Sequence, residues 1–126
     1  MLIPYGKQSI DKKDIKYVLK SLKSEYLTQG PLVKKFEIEI SKKFKCVSAT
    51  VVSNGSAALF LIGIILNWKK GDLIAVPPIT FISSINSIEH AKARPIFVDI
   101  NLNDYCMDPV KLEEVLKKDK KKELKL

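Results

Sequence analysis

Val51-Val52-Ser53-Asn54-Gly55-Ser56-Ala57-Ala58-Leu59 joins an apolar, β-branched run to an apolar helix through a short polar turn. Read as strand, turn and helix, the stretch has the build of a phosphate cradle. Gly55 lets a ligand approach the backbone closely. Ser56 brings a hydroxyl and an N–H to a helix N-terminus, where unpaired donors and the helix dipole favour an anion. The same residues also suit a turn that only starts a buried helix.

The plan repeats downstream. Ala75-Val76-Pro77-Pro78-Ile79-Thr80-Phe81-Ile82-Ser83-Ser84-Ile85-Asn86 reads as strand, loop and polar helix start, and Pro95-Ile96-Phe97-Val98-Asp99-Ile100 as a strand ending in an acid. From residue 46 onward the spacing predicts strand 46–52, helix 56–68, strand 73–76, helix 81–91 and strand 96–100. Such α/β alternation implies a sheet covered on both faces. The helix around residues 57–66, apolar almost all round, is expected to lie between layers. Cys46, opening a strand, is expected to be a small buried residue.

Upstream the period is helical. Ile15, Val18, Leu19 and Leu22 share one face of a helix predicted over residues 12–25, with Asp11 as its cap and Asp14 three residues on. Thr28-Gln29-Gly30-Pro31 breaks the chain, and Pro31 opens a second helix lined by Val33, Phe36, Ile40 and Phe44. Asp108-Pro109 starts a last helix with Leu112, Val115 and Leu116 on its apolar face, running into the Lys-rich stretch 117–123, a solvated helix end or linker. The chain thus divides into a helical segment, 1–45, and an α/β segment, 46–126.

Composition narrows the classes. The chain has 126 residues, 46% of them hydrophobic, and a net charge of +8. That charge raises the possibility of nucleic-acid binding, but it comes from 21 lysines and a single arginine, Arg94, whereas phosphate and base recognition favour the arginine fork. Lys12, Lys13, Lys16, Lys20 and Lys23 fall at solvent-facing helical positions, so no nucleic-acid partner is expected. Cys46 and Cys106 lie far apart without metal-ligand spacing, so neither a metal site nor a disulfide framework is expected. No apolar run reaches the ~18 residues of a membrane span, and the N-terminus lacks the basic start and apolar core of a signal peptide. A cytoplasmic location is therefore expected.

Together with Ile3-Pro4-Tyr5-Gly6 and Leu27-Thr28-Gln29-Gly30-Pro31, these segments resemble the N-terminal part of the DegT/StrS-type nucleotide-sugar aminotransferases. The resemblance covers nearly the whole chain and consists of several ordered motifs. In turn these are the substrate loop, the Thr-Gln-Gly turn, the phosphate-binding Asn-Gly-Ser-Ala-Ala-Leu, the Pro-x-Thr-Phe ring-stacking loop and the Pro-x-Phe-Val-Asp strand. Within the family, the Leu-Thr-Gln-Gly turn and residues 116–126 are most similar to the pseudaminic acid pathway branch, which acts on a UDP-linked 4-keto-6-deoxy sugar.

The resemblance implies an α/β fold, the N-terminal part of the large domain of the aspartate aminotransferase (PLP type I) fold, three-layered with a mixed sheet. It implies pyridoxal 5'-phosphate (PLP) as cofactor, a nucleotide-sugar substrate, an amino donor such as glutamate, and a homodimer. On these residues it places Gly55 and Ser56 at the cofactor phosphate, with Phe81 against the pyridine ring and Ser83 near it. Tyr5, Thr28, Gln29 and Asn86 fall at the substrate. The family's Schiff-base lysine and pyridine-binding aspartate belong to later segments. None of the 21 lysines stands in the family's Ser-Phe-His-x-x-Lys context, so no catalytic residue is assigned and the chain is expected to be inactive alone.

The residues by themselves leave alternatives. Phe81 equally suits a core position at a helix start, and Tyr5, Thr28 and Gln29 equally suit surface turns. Asp99 ends a strand, where α/β sheets gather functional groups, yet it is not the pyridine-binding acid. His90 reads as a surface cation at a helix C-terminus rather than a general base. A self-contained α/β module that holds a phosphorylated ligand on Gly55 and Ser56 without chemistry is the competing function.

Overall fold

The computed structural model describes residues 6–118 and the backbone of Leu124–Lys125. The chain forms two compact units, residues 1–51 and 52–126. In the first, helix α1 (Lys12–Leu22) starts on the expected capping box. Asp11 Oδ1 accepts the Lys13 and Asp14 N–H groups at 2.6 and 3.0 Å, and Asp14 Oδ2 accepts the Asp11 N–H at 2.9 Å. It ends short of residue 25, because the Ser24 hydroxyl donates to Ser21 O at 2.7 Å and to Tyr26 O at 3.0 Å, taking over carbonyls another turn would use.

Helix α2 (Gly30–Phe44) carries Pro31 in its first turn and closes at Lys45, whose left-handed backbone (φ 53°) sends its N–H back to Lys42 O. Neither helix buries a residue fully. The strand expected at 46–52 does not form. Its β-branched residues suit a strand, but among the described residues they join no ladder. Val51 N–H instead donates to the Glu37 carboxylate at 3.1 Å. Cys46, expected to be buried there, is exposed.

The second unit opens with α3 (Gly55–Ile65), followed by β1 (Leu73–Val76), α4 (Ile82–His90), β2 (Arg94–Phe97), α5 (Pro109–Lys118) and β3 (Leu124–Lys125). The described strands lie in the order β2-β1-β3, both pairings parallel, with Leu73 opposite Arg94 and Leu124. β2 begins and ends earlier than its apolar run suggests. Arg94 N–H donates to Asp72 O at 2.9 Å and Val98 N–H to Val76 O at 3.1 Å, after which Asp99 Oδ1 takes the Ile100 N–H and ends the ladder. Past that point Ile100 bridges Met107 in antiparallel sense.

Ile74 and Val76 of β1, Ile88 of α4 and Ala93 make the core, with Trp68 and Ile85 packed against it. Helix α3 departs from expectation. It packs on α4, but only Gly63 is buried, while Ile64 and Ile65 are 69% and 79% exposed. An all-round apolar helix encodes a second covering layer, and the described residues leave its outer side open. Helix α5 starts as read, with Asp108 Oδ1 accepting from Val110 N–H at 2.8 Å. Among the described residues no helix is long and apolar enough to cross a membrane. Most of the Lys-rich stretch 117–123 lies outside the described residues.

Candidate functional site

The α3 N-terminus is capped by one side chain. Asn54, in extended backbone (φ −167°), is the N-cap: its Oδ1 accepts the Ala57 N–H at 2.9 Å, and its carbonyl accepts the Ala58 N–H at 3.2 Å. That leaves the N–H groups of Gly55 and Ser56 as the orphan donors of the first turn, with no acidic side chain in that turn to compensate the dipole. Ser56 is half-buried beside them.

Gly55 is not demanded by the fold. Its φ is ordinary, and a Cβ added there would meet no atom within 4 Å. Gly30 makes the contrast: at φ 69° its Cβ would sit 2.7 Å from Tyr26 Cβ, so backbone and packing both require glycine. The space beside Gly55 is therefore open, next to the two uncapped N–H groups.

Helix α4 offers a second N-terminus, led by Phe81 in extended conformation (φ −73°, ψ 142°). Phe81 is 74% exposed, so the described residues do not bury its ring. Ser83 is buried and Asn86 exposed. Thr80 of the Pro-x-Thr-Phe loop makes a contact the sequence did not foretell: Thr80 Oγ1 and Ser84 Oγ lie 3.0 Å apart across Phe81. The only signal for it was two hydroxyls four positions apart at a helix start. Helices α3 and α4 pack together, the Phe60 and His90 rings 4.9 Å apart. That contact occupies His90 at the far end of α4.

In the first unit, Gln29 (φ 56°) and exposed Thr28 precede α2. Gln29 lines a cleft of about 820 Å³ with Tyr17, Lys20, Lys23, Tyr26 and Lys35. Tyr5 lies outside the described residues. Asp99 is engaged: it bonds Lys111 Nζ at 2.9 Å and the Ile100 N–H. The Lys111 hydrogen bond first, then the Ile100 N–H and the lysine charge, hold its carboxyl below the usual carboxylate range and raise Lys111.

Against known proteins, the DegT/DnrJ/EryC1/StrS aminotransferase family matches residues 8–123. The spore coat polysaccharide biosynthesis protein SpsC of Bacillus subtilis is 39% identical over 88% of this chain and 28% of its own length. The UDP-4-amino-4,6-dideoxy-N-acetyl-beta-L-altrosamine transaminase of Campylobacter jejuni strain 81-176 is 35% identical over 93% of this chain and 31% of its own. Among solved structures, a candidate sugar aminotransferase of Streptococcus pneumoniae in its PLP form superposes with a TM-score of 0.80 at 32% identity, over 89% of this chain and 29% of that one. The chain therefore spans about 30% of the length of these relatives, and its α/β architecture is that of part of the PLP fold type I. On a match that runs through the described cradle and loop alike, the chain belongs to the DegT/DnrJ/EryC1/StrS aminotransferase family.

Proposed function

We propose that this chain supplies the phosphate-binding and ring-stacking part of a PLP-dependent aminotransferase acting on a nucleotide-linked keto-sugar, in cytoplasmic amino-sugar biosynthesis. The observation that carries the reading is the α3 N-terminus: two orphan N–H donors and an open glycine that neither φ nor packing requires. Gly55 and Ser56 hold the cofactor phosphate, while Phe81 and Ser83 meet its ring. Once bound, PLP acts as an electron sink for bonds at the amino-bearing carbon.

Gln29, in a cleft with Lys20, Lys23 and Lys35, supports a role for the turn at residues 28–29 toward a diphosphate-bearing substrate, with Tyr5 and Asn86 as further substrate contacts. Glutamate is the amino donor and a homodimer the working assembly. Because no lysine here stands in the Ser-Phe-His-x-x-Lys context, the chain alone binds without turning over.

The test is a PLP titration of the chain followed by absorbance, with inorganic phosphate as competitor, alongside Ser56→Ala and Gly55→Val. Saturable binding that phosphate displaces and either substitution weakens supports the reading; no saturable binding refutes the cofactor assignment. Incubation with glutamate and a UDP-linked 4-keto-6-deoxy sugar is expected to give no amino-sugar product. Turnover would overturn the assignment of catalysis to residues outside this chain.

A further inference from the structure

We propose that Thr80 and Ser84 form a hydroxyl clasp that positions Phe81, an inference that rests on the ring-stacking role given to Phe81 above. Phenylalanine is a poor N-cap. It has no side-chain oxygen for the first-turn donors, and none of its side-chain atoms caps α4. The ring is also 74% exposed, so burial does not hold it. A residue that neither caps nor packs needs its backbone fixed by its neighbours if its ring is to keep one orientation.

The neighbours do this from both sides. Thr80 Oγ1 and Ser84 Oγ, 3.0 Å apart, close a bridge from the residue before Phe81 to the first turn after it. Within the bridge, Ser84 N–H donates to Phe81 O at 3.0 Å. The Ser84 end is tied in turn to the buried side of the helix, since Ser87, 2% exposed, donates its hydroxyl to Ser84 O at 2.9 Å. The chain from Thr80 to Ser87 is thus a continuous hydrogen-bonded path from the core to the base of an exposed ring. Phe81 itself makes the contact with the cofactor; Thr80 and Ser84 act through it as positioning residues.

The test compares Thr80→Val, Ser84→Ala and Thr80→Ser in this chain by two readouts. In the first, ring mobility of Phe81 is followed by NMR without any ligand. Thr80→Val and Ser84→Ala are expected to average the ring and the Ile82 and Ser83 amides, and Thr80→Ser to restore them. In the second, PLP is titrated and the induced circular dichroism of its bound ring recorded. Thr80→Val is expected to weaken PLP binding about three- to tenfold and reduce the dichroism, leaving inorganic phosphate affinity unchanged. An unaltered Phe81 ring in Thr80→Val overturns the clasp. So does a Thr80→Ser variant no better than Thr80→Val. If the native chain shows an ordered ring that Thr80→Val loosens but binds no PLP, the clasp stands and the cofactor assignment falls.

Discussion

Two glycines in one helix should respond in opposite directions to the same substitution. At Gly55 an added methyl meets open space, so Gly55→Ala removes the flexibility of glycine without a clash. An interior helical Gly→Ala is worth about 1 kcal/mol, and at the first turn roughly half of that. At Gly63 the new Cβ would lie 2.9 Å from Trp68 Cε3 and 3.4 Å from Cζ3. The indole cannot swing aside freely, because it packs against Ile74, Val76, Ile88 and Ala93. Overpacking of this kind costs about 1–3 kcal/mol, which outweighs the propensity gain of about 1 kcal/mol and leaves Gly63→Ala destabilising by up to ~2 kcal/mol. Amide hydrogen exchange across residues 58–66 reads both effects locally. Gly55→Ala should raise protection about twofold, and Gly63→Ala should lower it, by up to about thirtyfold. The first variant also separates fold from ligand. Despite the firmer helix, Gly55→Ala should bind PLP and inorganic phosphate at least tenfold more weakly, since its methyl enters the space before the Gly55 and Ser56 N–H groups. Undiminished phosphate affinity in a well-protected Gly55→Ala chain would refute the cradle.

Further outcomes follow from other contacts. Asp99 is lowered and Lys111 raised by their mutual bond, so the pair's contribution is present above the ordinary carboxylate range and is lost as pH falls through the depressed Asp99 value. It is also lost as pH rises through the elevated Lys111 value. Exchange at the α5 amides should accelerate slightly at both extremes, and Asp99→Asn should abolish the acid limb by showing, already at neutral pH, the same small loss that acid gives the native chain, small because both groups are exposed. Trp68 Nε1 is buried without a partner among the described residues. Trp68→Phe removes that orphan donor, and its thermal midpoint should match or exceed that of the native chain, a large drop being the contrary result. Ile88, 2% exposed in the core, is expected to lose about 2–5 kcal/mol on Ile88→Ala, seen as collapse of exchange protection in β1 and α4 together. The open outer side of α3 should bind a hydrophobic dye, and Ile65→Lys should reduce that binding without loss of helix protection, because Ile65 is 79% exposed.

What was legible in the sequence was local. The Asp11–Asp14 box, the Asp108-Pro109 start and the bounds of β1 all rest on signals within a few residues of where they act. The family was legible for a related reason: its motifs are short, and their order survives in the chain. What failed needed a partner. Among the described residues, 46–52 have the composition of a strand but form no ladder, and α3 has the composition of a buried helix but keeps its outer side uncovered. β-Branched and apolar residues state what surface they would cover, not whether the covering element is there. The early end of α1 at Ser24 and the Thr80–Ser84 clasp were missed for another reason, since a hydroxyl's choice of acceptor is settled only by geometry.

Gly55 brings these threads together. A reading from local rules justifies a glycine by a turn or a tight approach within the fold, and Gly30 satisfies both at once. At Gly55 neither reason holds, so the helix gives up about half a kcal/mol of propensity for nothing its own contacts return. Positions where a sequence departs from what its fold prefers tend to be functional. Here the departure lies in the first turn of a helix whose cap leaves two N–H groups free, the turn to which the proposed function assigns the cofactor phosphate. On the proposed function, the reason for the glycine lies in a ligand that must come closer to the backbone than a methyl group would allow, and the Gly55→Ala phosphate titration decides it.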